Sequence, residues 1–235
     1  MYLPLQVGRA LYPALPYQGD NTGDNISEKN PSFCELTGLY WAWKNLDSEY
    51  IGLCHYRRYF AGGSFLIRDP WKRILTSQQA GWLLQKAPVI LPRKRNYFIE
   101  TNYSQYIHAH HAQDLALTRQ IIAERHPRYL AAYDRFMNKT TGHHFNMFIM
   151  RRDLLNEYCS WLFDILFELE RRLDISQYTA YDRRVFGFVA ERLLDSWIET
   201  RGLAYLELPV IHMEGQDWGH KITAFLKRKY FGHLS

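Results

Sequence analysis

Cross-linking chemistry is almost absent from this sequence. Its three cysteines, Cys34, Cys54 and Cys159, are scattered and form no C-x-x-C pair. That pattern argues against a disulfide framework or a zinc ribbon and points to a reducing compartment. No apolar run approaches the roughly 18 residues that a membrane-spanning helix needs, and no signal-peptide pattern opens the chain. H-E-x-x-H is missing, as are internal repeats and low-complexity tracts. Neither charge sign is in large excess: 29 Lys and Arg face 24 Asp and Glu, a formal net charge of +5. So mild a balance favours an anionic partner and disfavours nucleic acid, for which no recognised module is present.

What the chain does have is apolar and aromatic mass. Its 235 residues suit a single domain, read here as 1–235, and 47% hydrophobic content supports a sizeable core. Aromatics reach 16%, with 17 Tyr and 7 Trp, which suits sugar or base stacking as well as core filling.

The stretch that organises the rest is Tyr50-Ile-Gly-Leu-Cys-His-Tyr-Arg-Arg-Tyr-Phe60. It opens as an uncharged strand over Tyr50 to Cys54 and breaks directly into His55, Tyr56, Arg57 and Arg58. This is the pattern of a buried strand whose carboxyl end carries the ligand site of an open α/β sheet. The adjacent arginines call for an anion or a carboxylate, and pairing with nearby acids is the structural alternative. A second apolar strand, Pro88 to Pro92, also ends in cations, Arg93 to Arg95, readable as the same anion site or as a solvated loop.

Around these strands the pattern is helical. Gln6 to Leu11 reads as a short helix, and Tyr17 to Asn30 as a loop. Within that loop Asp20 and Asp24 have a spacing that suits a metal, although the further ligands of a calcium loop are missing; Asx turns explain them as well. Ser32 and Glu35 form an S-x-x-E capping box that predicts a helix to about Asn45. Helices are also predicted over Ser77 to Lys86, Gln113 to Arg125, Arg128 to Met137, Asp153 to Leu173 and Asp182 to Thr200, the last closed by Gly202. The His-rich segment Tyr106 to Asp114 supplies no third metal ligand, so polar packing or substrate contact is the stronger reading. Gly142 to Met150 reads as a loop entering a third strand, with His144 and Asn146 on one side by period two. Arg184 and Glu191, seven apart on one helix, form either a salt bridge or a pair reaching into a cleft; Arg192 adjoins them. Leu203 to Ile211, interrupted by Pro209, reads as an edge strand. The basic amphipathic segment at 221–235 either docks on a membrane or partner enzyme, or packs on its own domain.

Three ordered motifs carry a resemblance: Asp20-Asn-Thr-Gly-Asp-Asn-Ile-Ser27, Cys34-Glu-Leu-Thr-Gly-Leu-Tyr-Trp-Ala-Trp-Lys-Asn45 and Gly52-Leu-Cys-His-Tyr-Arg-Arg-Tyr-Phe60. Asn146 to Met150, Glu157 to Phe163 and Phe186 to Leu194 extend it over nearly the whole chain. The sequence resembles a bacterial family from capsular, exopolysaccharide and O-antigen clusters, long catalogued as a domain of unknown function and connected with galactofuranose transfer. The resemblance implies a nucleotide-sugar-dependent glycosyltransferase with a GT-A-like, Rossmann-type open mixed sheet flanked by helices. It also implies a lipid-linked or oligosaccharide acceptor and a cytoplasmic setting at the inner face of the cytoplasmic membrane. The family's usual opening, a strand and a His-Lys pair ahead of the region matched by Leu3 to Gly8, has no counterpart here, which leaves the first strand of the core in question. A truncated, non-catalytic binding relative is therefore the alternative.

GT-A enzymes usually chelate a divalent ion through D-x-D, and no D-x-D occurs in this sequence. His55-Tyr-Arg57 stands at the strand end where that motif would be, and arginine can neutralise a diphosphate without a metal. No metal and no cofactor are expected. His55, Tyr56, Arg57 and Arg58, with Asp20, Asn25 and Asn30, are the candidate donor-binding residues. Asp24, Asp182 and Glu191 are the candidate catalytic acids, and His144, Asn146, Arg184 and Arg192 are candidates for acceptor contact.

Overall fold

Val89-Ile-Leu-Pro92 is buried at every residue, as an unbroken apolar run demands of a strand covered on both faces. In the computed structural model, which describes residues 1–213, this strand lies inside a four-stranded sheet. The segment at 221–235 lies outside the described residues.

In chain order the strands are β1 (Leu5–Gln6), β2 (Gln18–Gly19), β3 (Tyr50–Leu53), β4 (Arg58–Phe60), β5 (Val89–Pro92), β6 (Arg95–Asn96), β7 (Thr141–Gly142), β8 (Phe148–Arg151), β9 (Leu206–Leu208) and β10 (Val210–His212). The helices are α1 (Asn30–Phe33), α2 (Leu36–Asn45), α3 (Ser77–Leu84), α4 (Asn102–Ile107), α5 (Ala112–Arg125), α6 (Leu130–Asn138), α7 (Arg152–Arg172), α8 (Val185–Ala190) and α9 (Leu194–Arg201). The main sheet has the order β3-β8-β5-β9. β8 is antiparallel to β3 and β5, while β9 is parallel to β5. It is an open, mixed sheet flanked by helices.

Period-two alternation distributes the sheet's side chains between two cores. Val89, Leu91, Phe148, Met150 and Ile51 join the large cluster built on α2, α5, α7, α8 and α9. Ile90 and Ile149 face the other way, onto Leu75, Ala80 and Leu84. The 21-residue α7 is the main packing element, burying Leu155, Leu162, Ile165, Leu166 and Leu169 completely. Gly52 permits the close approach of β3 to β8, since a Cβ there would meet the Phe148 carbonyl oxygen at 2.7 Å.

Several expectations are corrected. β3 is an edge strand, not a buried one: it pairs only with β8, Gly52 is exposed, and Ile51 alone is buried. Gln6 to Leu11 is a series of turns following β1, without a helix. The Ser32–Glu35 capping box does not form, because the backbone breaks at Cys34 (φ 53°, ψ −127°) between the single turn of α1 and α2. The helix expected over Asp182 to Thr200 is broken after Ala190, so Glu191 caps the end of α8 instead of lying mid-helix. Gly202 closes α9 in the left-handed conformation as expected. Pro209 ends the pairing of β9 with β5 and hands the chain to β10, which pairs with β4.

Candidate functional site

Register decides where the strand ends meet. Leu53 pairs with Phe148, so the carboxyl end of β3 and the amino end of β8 share one edge of the sheet. β5 and β9 finish at that same edge, at Pro92 and Leu208. Into this edge run His55 to Arg58, Arg93 to Arg95 and the loop from Gly142 to Asn146. The start of α2 and the end of α8 complete it.

The first contacts are made by the strand-end residues. His55 Nε2–H donates to the Phe145 carbonyl at 2.7 Å. The Arg58 guanidinium lies 4.4 Å from the centroid of the Phe145 ring, a cation over an aromatic face. Burial lowers the pKa of Arg58, and Glu191, Arg57, Glu35 and Arg95 all act on it electrostatically. Arg57 and Tyr56 are exposed, with the guanidinium 4.9 Å from the tyrosine ring.

Two carboxylates stand in this edge in different surroundings. Glu191 Oε2 accepts from Arg192 at 3.1 Å, and His144 Nδ1 is 3.7 Å away. Burial works to raise the Glu191 carboxyl, but the adjoining His144 ring and Arg192 guanidinium outweigh it and hold it at about 2. Glu35 Oε1 accepts from Asn146 Nδ2 at 2.7 Å, and no cation pairs with it among the described residues. Asn146 also donates to the Gly187 carbonyl at 3.1 Å, tying α2 to α8. His144 is pushed to a low pKa by burial. Its side chain is 1% exposed, and neither ring nitrogen has a hydrogen-bond partner among the described residues.

Backbone strain gathers at the same place. Phe145 and Asn146 have φ of 76° and 51°, and Cys34 has 53°. Non-glycine residues in such conformations persist where surrounding structure fixes them, and they concentrate at working sites. Cys34 Sγ accepts from Arg184 Nε at 3.3 Å. The Arg184 guanidinium also lies over Phe188 and Tyr181, at 5.2 and 5.8 Å. Consecutive left-handed residues cancel the period-two argument: His144 turns to Glu191, and Asn146 turns to Glu35.

Of the expected site residues, the structure brings together His55, Tyr56, Arg57, Arg58, His144, Asn146, Arg184, Glu191 and Arg192. Asp182 lies in an adjoining cluster, accepting from Thr179 Oγ1 at 2.7 Å, with His110 and His111 at 3.4 and 3.7 Å. His110 stacks on Phe188 at 4.2 Å, so α8 separates the two clusters. Asp20, Asn25, Asn30 and Asp24 lie elsewhere. Asp20 is fully buried, and its oxygens accept from the amides of Gly8 and Arg9 and the hydroxyls of Ser27 and Thr37. A carboxylate so engaged clamps the opening segment to α2. Asn25 closes its own loop through Gly23 and Ser27, and Asn30 donates to the Cys34 carbonyl. Asp24 accepts from Tyr40 and faces Lys44, at the end of α2 remote from Glu35.

Sequence reasoning missed Glu35, whose S-x-x-E spacing disguised it as a helix cap. It also missed Tyr97, whose ring lies 5.2 Å from that of His144. No pattern in the sequence signals that contact.

Comparison with known proteins covers most of the chain. Residues 1–202 match a family described as Domain of unknown function (DUF4422). The apo structure of the bifunctional glycosyltransferase WbbM superposes with a TM-score of 0.84 at 31% identity, over 91% of this chain. The chain spans 42% of the length of that protein. No curated protein matches.

Proposed function

The chain belongs to the family described as Domain of unknown function (DUF4422), and on that footing we propose that it transfers a sugar from a nucleotide-sugar donor to a carbohydrate acceptor of a bacterial surface polysaccharide. The observation that carries this reading is the half-buried Arg58 guanidinium, set on Phe145 at the shared strand edge with two carboxylates and Arg95 in electrostatic reach. Likeness to a glycosyltransferase structure supports it.

Arg58 is the group that meets the donor diphosphate, with Arg57 and Arg95 adding charge. A planar guanidinium pairs with phosphate oxygens in two-pronged fashion, and its charge offsets what develops on the leaving group. Because the sequence has no D-x-D, these cations take the neutralising role that such a motif serves elsewhere. Attack proceeds in line. The acceptor hydroxyl gives its proton to a carboxylate and its oxygen bonds the anomeric carbon. The bond from that carbon to the phosphate oxygen breaks, and the electron pair leaves with the nucleoside diphosphate. Glu191, held at about 2 beside Arg192, is too weak a base for this step. Glu35 is the better base: Asn146 orients one oxygen and no cation ties up the other among the described residues. Galactofuranose is the donor sugar we favour, with UDP as its carrier and a lipid-linked or oligosaccharide acceptor.

Mass-spectrometric turnover against a panel of nucleotide sugars and acceptors tests the reading. Turnover with a UDP-sugar is expected to survive chelation and to fall at least tenfold in Arg58→Lys, which keeps the charge but loses the planar contact. A folded protein that neither turns over any donor nor binds UDP in calorimetry would overturn it.

A further inference from the structure

The segment joining β4 to α3 exposes apolar side chains that a folded chain ordinarily hides. Phe65 is 80% exposed, Leu66 75% and Trp71 64%, and Ile67 is exposed beside them. They do not dangle from a slack loop. The stem is closed by a bridge from Ala61 to Ile74 and by the amides of Gly62 and Gly63 donating to the Arg73 carbonyl at 2.8 and 3.0 Å. Gln79 of α3 donates to the Gly62 carbonyl, and Leu75 below the stem is buried. At the tip, Asp69 accepts from the Trp71 amide at 3.0 Å and shapes the turn over Pro70–Arg73. The backbone thus holds four large apolar groups outward.

The charges around them are mostly positive: Arg68, Lys72 and Arg73 against Asp69. Arg68 and Lys72 are exposed between the apolar residues, and neither has a carboxylate partner among the described residues. Asp69, which faces the Trp71 amide, is the one acid between Ala61 and Thr76. Apolar tips with Trp among them, interleaved with unpaired cations, match the interface of an anionic bilayer. Acyl chains there receive the apolar groups, and headgroups receive the cations. A protein groove would have to supply both an apolar floor and acids for Arg68 and Lys72.

We propose that the loop at 62–73 is a membrane-docking wedge. It places Phe65, Leu66, Ile67 and Trp71 at the acyl boundary of an anionic bilayer, with Arg68 and Lys72 at headgroup level. The inference does not depend on the transfer reaction. Its geometric consequence is that β4 runs from Arg58 directly into the wedge, so docking holds the strand-edge cleft close to the lipid surface.

Co-sedimentation of the full chain with vesicles tests it, comparing phosphatidylcholine alone with phosphatidylcholine mixed with phosphatidylglycerol. The chain is expected to bind the mixed vesicles, and less so as salt rises. The combined variant Phe65→Ser, Leu66→Ser, Trp71→Ala should lose roughly tenfold or more in partitioning. Arg68→Gln with Lys72→Gln should lose the preference for phosphatidylglycerol. All these side chains face solvent, so melting temperatures should stay close to that of the parent, which verifies folding. Failure of the parent to bind mixed vesicles, or unchanged binding by the folded triple variant, would overturn the proposal. A parent that ignores vesicles but self-associates, with association abolished in the triple variant, would overturn it too, in favour of a protein partner.

Discussion

Glu35 and Glu191 lie at one strand edge, yet their surroundings fit them for different work. Glu191 sits against Arg192, itself 4% exposed, and serves to keep that guanidinium paired. Glu191→Gln removes the charge and should cost about 1 to 3 kcal/mol of stability, read as a drop in melting temperature. Glu35→Gln keeps an acceptor for Asn146 and should melt near the parent temperature. Turnover should show the reverse emphasis, with Glu35→Gln losing roughly 100-fold or more, as removal of a general base does. Equal rates for Glu35→Gln and the parent would remove Glu35 from the chemistry. The contrast is legible only in the fold, because Asn146, Arg192 and His144 come from segments far from Glu35 in sequence.

At the level of elements, the kink between α1 and α2 holds the most consequence. Cys34 occupies φ 53° and ψ −127°, a conformation costly for any residue with a Cβ, by about 1 to 3 kcal/mol. Its thiol also receives Arg184. Cys34→Gly should therefore raise the melting temperature while lowering turnover, because strain is relieved and Arg184 loses its anchor. A variant that is destabilised would show that the thiol contact outweighs the strain. Elements with a strong local signal were legible: the apolar run of β5, the broad buried stripe of α7 and the glycine that ends α9. What escaped was set by contacts at long range. The periodicity from Asp182 to Thr200 continues through the break at Glu191, where the side chain turns to His144 and Arg192. The S-x-x-E spacing at Ser32 was overridden by the packing of Phe33, fully buried and stacked on Phe186 at 4.6 Å. Among the candidate site residues, the cluster following β3 was readable because a strand end announces itself. The buried role of Asp20 was not, since its four partners come from three separate segments.

For the molecule as a whole, acid is the informative stress. Burial holds both His110 and His144 below the ordinary imidazole pKa, so on acidification the unfolded chain takes up protons that the folded chain resists. Their contribution to stability is fully present above about pH 6.5 and is lost as pH falls from there. Melting temperatures should decline over that range, and His144→Gln should flatten part of the decline; an identical slope in the variant would assign it elsewhere. A different kind of cooperativity follows from the Asp20 clamp. Strands β1 and β2 are two residues each, too short to protect anything by themselves. Asp20 nevertheless joins the amides of Gly8 and Arg9 to the Thr37 hydroxyl in α2. The opening segment and that helix should therefore unlock together, as one exchange unit. In hydrogen–deuterium exchange the Gly8 and Arg9 amides should be as slow as those of α2, and in Asp20→Asn they should become fast while the helix stays slow.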